Sequence, residues 1–152
     1  MTPLKIEGEH RFRAPRTAVW AALLDPEALR RAIPGCESLD RTGPDAYDLT
    51  VKIGIGAIKG TYRGTVRLTD QQPEHAYRMH VTGSGAPGSV EGDAALELEE
   101  AGDGETVVRY SGDVSARGAI ARLGSRMLAG TAKLLIGQFF KRMDDVLAER
   151  VA

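Results

Sequence analysis

The sequence predicts an α+β fold in which an antiparallel sheet of about seven strands holds one long C-terminal helix, with two short helices after the first strand. Three observations carry this. Apolar and polar residues alternate through most of the chain, which is the period of a half-buried strand. Residues 118–151 contain no proline and space their apolar residues by three and four, which is the period of a helix. A sheet with one apolar face also needs a cover. Only that helix is long enough, at about 48 Å for 1.5 Å per residue.

The elements follow in order. Leu4, Ile6, Gly8, His10 and Phe12 alternate with Lys5, Glu7, Glu9, Arg11 and Arg13, giving a first strand with one apolar face. Pro15 suits a helix start, and residues 17–24 supply a short helix. Asp25 as N-cap with Pro26 at the first helical position starts a second one through Ile33, which Pro34-Gly35 ends. A short strand over 36–41 turns at 42–45. Inward positions then recur at Tyr47–Ile55, Tyr62–Leu68, Tyr77–Val81, Val90–Leu98 and Val108–Val114, separated by glycine-rich or charged breaks. Gly8, Gly64, Gly92 and Gly112 share the inward parity, as a sheet bending around a helix requires. This is a helix-grip architecture.

In residues 118–151, Ile120, Leu123, Met127 and Leu134 share one face on a wheel of about 100° per residue. Phe139, Phe140, Met143 and Leu147 centre on a face more than a quarter-turn away. The helix is therefore expected to bend or to be gripped differently along its halves. Gly124, Gly130 and Gly137 are expected to permit a kink or close packing, or to leave room for a ligand.

Composition narrows the function. A chain of 152 residues is expected to form one domain, 1–152. A net charge of −1 and a pI near 6.3 give no electrostatic footprint for nucleic acid. Cys36 is the one cysteine, so no internal disulfide exists and a reducing compartment fits. No apolar run reaches the 18 residues of a membrane span, and the N-terminus does not read as a signal peptide, so the expected location is cytoplasmic. Gly83-Ser84-Gly85-Ala86-Pro87-Gly88 spells a dinucleotide fingerprint, but a strand pattern follows it where a helix N-terminus is needed. No pair of the three histidines has metal-ligand spacing on one helix face, so no metal site is expected, and no cofactor is expected either. His10 alone of three histidines is inward, while Glu91, Asp93, Glu97, Glu99 and Asp113 fall on the outer parity. An interior of Val, Ile, Met, Tyr and Gly favours binding over acid–base catalysis, and no residue is assigned a catalytic role.

Three segments carry a resemblance. IPGCESL (residues 33–39), VKIGIGAIKGTYRGTV (51–66) and IARLGSRML (120–128) resemble the G-subunit family of carbon monoxide dehydrogenase, within the helix-grip superfamily of lipid-transfer, polyketide-cyclase and birch-pollen-allergen-like proteins. The resemblance spans nearly the whole chain. It implies a cavity between sheet and long helix for an apolar or aromatic ligand, lipid or quinone-like. It further implies an accessory role beside a molybdenum hydroxylase of carbon monoxide dehydrogenase type, in membrane recruitment or quinone handling. Some relatives extend beyond the grip helix with a membrane-binding tail, whereas this sequence stops at Ala152.

The expected lining of the pocket is Ile33, Val51, Ile53, Tyr62, Val66, Met79, Val81, Val90, Tyr110, Leu123 and Met127, from the inward strand positions and the helices. Tryptophan at Met127 or Gly64 should then block it. Two other readings stand beside this one: a cyclase- or dehydratase-like enzyme using His10 or a tyrosine, and an interaction domain with a filled core. On the outside of the long helix, no acidic residue lies between Asp113 and Asp144. Arg122, Arg126 and Lys133 align within about 40° on the wheel. That stripe is expected to dock on an acidic surface, either anionic lipid at the inner face of the membrane or a partner enzyme.

Overall fold

A computed structural model describes residues 3–151. Strand β1 (Leu4–Phe12) leads into helices α1 (Arg16–Leu24) and α2 (Pro26–Ala32). Strands β2 (Cys36–Gly43), β3 (Ala46–Ile53), β4 (Gly60–Gln72), β5 (Ala76–Gly85), β6 (Gly88–Glu100) and β7 (Thr106–Gly118) follow. A 3₁₀ segment (Ala119–Leu123) then precedes helix α3 (Ser125–Val151). The strands form one open antiparallel sheet in the order β1-β7-β6-β5-β4-β3-β2. From β2 to β7 each strand pairs with the next in sequence, while β1 pairs with β7, Leu4 opposite Val114 and Phe12 opposite Thr106. This is the helix-grip fold.

Local chemistry explains the element ends. The Asp25 side chain accepts a hydrogen bond from the Glu27 N–H at 3.3 Å and caps α2, with Pro26 in its first turn. The glycine fingerprint is a hairpin turn: Gly83 and Gly85 lie in β5 and Gly88 opens β6. Tyr47 on β3 donates its hydroxyl to the Leu24 carbonyl at 2.6 Å, which fastens the end of α1 to the sheet.

The long helix differs from its expected form. Its first seven residues are not α-helical: β7 runs on to Gly118 and the 3₁₀ segment fills 119–123. Gly124 then stands at φ +85°, a conformation that an L side chain strongly disfavours, and the helix starts after it. The 27 residues of α3 span about 40 Å. Ile120 and Leu123 therefore belong to a different element, and a wheel phased on them does not describe the helix. With α3 alone, one face suffices. Phe140, Met143, Val146 and Leu147 are buried on it, and Leu128, Ala132, Leu135 and Ile136 continue it toward the N-terminus. Met127 and Leu134 turn outward, 56% and 49% exposed. Gly130 and Gly137 are exposed as well, and a Cβ on either would meet nothing within 4 Å.

Candidate functional site

The inner face of the sheet has a filled part and an empty part. In the filled part, Phe12, Tyr47, Leu68, Tyr77, Leu96 and Val108 pack with α1, α2 and the C-terminal half of α3. Trp20 on α1 meets Tyr77 edge-on at 5.6 Å. His10 is held here too: its ring stacks on Phe140 at 5.0 Å, and its Nε2 lies 3.0 Å from both carboxylate oxygens of Asp144. The pair joins β1 to α3 and faces packed aromatic rings, with Phe12 edge-on at 4.6 Å.

In the empty part the inward residues are smaller. Gly64 and Gly83 pair across β4 and β5, and the neighbouring inward side chains are Val51, Val81, Val90, Val114 and Ala116. Gly64 is required by the sheet itself, since a Cβ there would come within 2.3 Å of the Thr82 carbonyl oxygen. On the helix side Leu128, Thr131, Ala132 and Leu135 form the roof, and Ile120 closes against Tyr62 and Ala116 in a second small core. Between them lies a half-enclosed cavity of about 350 Å³. Packed interiors leave few voids larger than a water, and ligand sites occupy about 300–1,000 Å³.

The cavity wall is almost wholly apolar. Tyr62 is the one titratable side chain among its lining residues. Burial pushes that phenol above its ordinary range, and its hydroxyl donates to the Ile58 carbonyl at 2.6 Å. Strand ladders occupy the wall's backbone groups. Water in a wall of this kind finds few hydrogen-bond partners, and an apolar molecule gains by filling it.

Parity locates part of this wall. Ile33, Val51, Ile53, Tyr62, Val81 and Val90 line the cavity. Val66, Met79 and Tyr110 share their parity but lie against the filled core, with Tyr110 stacked on Phe140 at 5.4 Å. Leu123 sits on the 3₁₀ segment off the wall, and Met127 is on the outside of α3. Leu4, Ile6, Leu49 and Val114 also line the cavity. They have the inward parity too, but nothing in the alternation singles them out from the rest of the face. The Cys36 thiol donates to the Ser38 carbonyl at 3.3 Å, and burial raises its pKa. Among the described residues no group of three His, Cys, Asp or Glu converges as a metal site.

Arg122, Arg126 and Lys133 are exposed, and among the described residues none forms an ion pair. Glu91 and Asp93, outer-face acids of the sheet, instead face His80 at 3.5 and 2.8 Å. Arg122 lies on the 3₁₀ segment, so it is not part of the helical stripe. Arg126 and Lys133 share the outer face of α3 with Met127 and Leu134. No helix among the described residues is long and apolar enough to cross a membrane.

Comparison with known proteins agrees with this geometry. The family model for the carbon monoxide dehydrogenase G subunit (CoxG) matches residues 8–148. The crystal structure of a conserved protein from Geobacillus kaustophilus is similar at TM-score 0.93 and 36% identity, over 96% of each chain. A START superfamily protein from Mycobacterium smegmatis shares the fold at TM-score 0.77 and 12% identity, over 98% of this chain and 99% of its own. Protein CV1439 from Chromobacterium violaceum does so at TM-score 0.71 and 17% identity, over 95% of this chain and 98% of its own. No curated protein matches.

Proposed function

The chain belongs to the CoxG family of carbon monoxide dehydrogenase, and from that premise we propose that it binds an apolar or aromatic small molecule, lipid or quinone-like, as a noncatalytic accessory factor. The observation that carries this is the apolar cavity of about 350 Å³ under α3, whose one phenol already has a carbonyl partner. Such a wall recognises shape and apolar area. It presents no base, nucleophile or converging acid pair for chemistry on what it holds. The family name supports a role beside a molybdenum hydroxylase of carbon monoxide dehydrogenase type. The outer face of α3, with Arg126 and Lys133 beside exposed Met127 and Leu134, supports reversible contact with an anionic membrane surface at the helix that roofs the cavity.

The test fills the cavity from the helix side. Ala132→Phe and Leu135→Trp each place a larger ring in it without touching the sheet. Each should weaken binding of a short-chain quinone or an apolar fluorescent probe about tenfold or more, the loss of at least about 1.4 kcal/mol. Met127→Trp, on the outer surface, should leave it unchanged. Wild-type affinity in both cavity variants, with their folds intact by circular dichroism, would reject this reading. Gly64→Trp cannot serve here, because it breaks the strand pairing at Thr82.

A further inference from the structure

The outer face of the sheet carries another hollow, across β5 and β6 from the cavity, with which it shares Thr82, Gly83 and Val90. Strand register sets four residues in one row across β4, β5, β6 and β7: Arg63 opposite Ser84, Ser84 opposite Ser89, and Ser89 opposite Arg117. Two short side chains between two long ones leave a concave space of about 320 Å³, to which Ser115 in the next row also contributes. Neighbouring strands lie about 4.8 Å apart, so the two arginine backbones are about 14 Å apart with the serines between them.

The chemistry of this hollow is one-sided. Each guanidinium offers five N–H donors and each serine one O–H. Among the described residues, neither arginine forms an ion pair, and no hydrogen bond ties the hydroxyls of Ser84, Ser89 or Ser115. Elsewhere on this face Arg109 is paired with Glu9 and Glu99, and Arg11 with Glu105. The one carboxylate bordering the hollow, Glu91, has His80 Nε2 at 3.5 Å, and His80 is itself bonded to Asp93 at 2.8 Å. The balance is an excess of positive charge and of donors.

We infer that this row binds a doubly charged oxyanion of the phosphate class. Two planar guanidinium forks suit the paired oxygens of a tetrahedral oxyanion, and the serine hydroxyls suit those that remain. A carboxylate has two oxygens and one charge, which a single fork satisfies. The same chemistry is offered by a soluble phosphate or by a phosphomonoester lipid headgroup, and the experiment separates them.

The full-length protein is titrated with inorganic phosphate at constant ionic strength, by calorimetry and by amide chemical shifts of Ser84, Ser89 and Arg117. Saturable binding with shifts confined to the row is expected. Arg63→Ala/Arg117→Ala should weaken it about tenfold or more, since charge-assisted hydrogen bonds are lost. Arg67→Ala/Arg78→Ala removes the same charge from the same sheet face and should leave the affinity within about twofold. A parallel arm uses vesicles with and without phosphatidic acid. If only those vesicles bind, and they need Arg63 and Arg117, the site stands and its ligand is a lipid headgroup. An unsaturable response in both arms overturns the inference. So does an equal loss in the Arg67/Arg78 control.

Discussion

Two histidines on one sheet show how placement decides what a side chain does. His10 faces inward, yet it is enclosed by Phe12, Phe140 and Asp144, on the filled side of the core. Its position joins strand to helix and does not address the cavity. His80 faces outward between Asp93 and Glu91. The hydrogen bond that its Nδ1–H donates to Asp93 raises its pKa, against the opposing effect of burial. A raised histidine pKa means the folded state holds the proton more tightly than the unfolded chain, whose value is about 6.5. The stabilisation is therefore full below about pH 6.5 and fades as pH rises through the folded value. His80→Gln should lower stability more at pH 6 than at pH 9, where the charge-dependent part is gone. Urea unfolding at the two pH values measures it, and a larger loss at pH 9 would contradict the assignment. Which side a histidine faces is written in strand parity. What it meets there is not, because Asp144 is 134 residues from His10.

At the scale of elements, glycines of opposite kind flank and interrupt α3. Gly124 takes φ +85° and separates the 3₁₀ segment from the helix. With ψ at 156° this is a backbone region open essentially to glycine alone, and alanine there should cost about 1–3 kcal/mol. Gly130 lies within the helix, exposed, with open space where a Cβ would be. Alanine there should add about 0.5–1 kcal/mol. Denaturant midpoints of the two variants should move in opposite directions, and a shift of the same sign in both would refute the helix boundary at Ser125. Sequence alone does not separate these roles. An unbroken, proline-free run with helical spacing hides a break made by one glycine, and a wheel started at Ile120 carries the phase error through to Met127 and Leu134. The strands are more legible, since period-2 alternation survives loss of one or two residues at each end. Parity names a face, however, and not which half of that face is packed. Val66, Met79 and Tyr110 therefore look the same in sequence as Val51 and Val81.

At the scale of the molecule, one helix serves two surfaces along its N-terminal half. Leu128, Ala132 and Leu135 roof the cavity, while Met127, Leu134, Arg126 and Lys133 face outward. Basic residues near an anionic bilayer contribute about 1 kcal/mol each, a weak and reversible attraction. Co-sedimentation with vesicles of rising anionic-lipid content should show Arg126→Glu/Lys133→Glu binding at least about fivefold more weakly for each cation lost, about 1 kcal/mol apiece. Met127→Ser/Leu134→Ser should weaken it further at fixed charge. Sedimentation equal to wild type at low salt in the charge variant would leave the outer face of α3 without a membrane role.

The pairing of β1 with β7 sets a timetable for synthesis. Strands β2 to β7 form a meander of neighbours in sequence, so each can pair as soon as the next emerges. Strand β1 leaves the ribosome first, but its partner is the last strand made, with Leu4 opposite Val114. Contacts of such sequence separation form slowly, and an apolar sheet face left open meanwhile is prone to aggregation. Leu4 and Ile6 arrive on the cavity wall only with this final pairing, and the roof of α3 is translated later still. The nascent chain thus has no compartment to fill until α3 has emerged. An apolar molecule captured at that moment would act on a late step of folding, by holding β1 and α3 to one another.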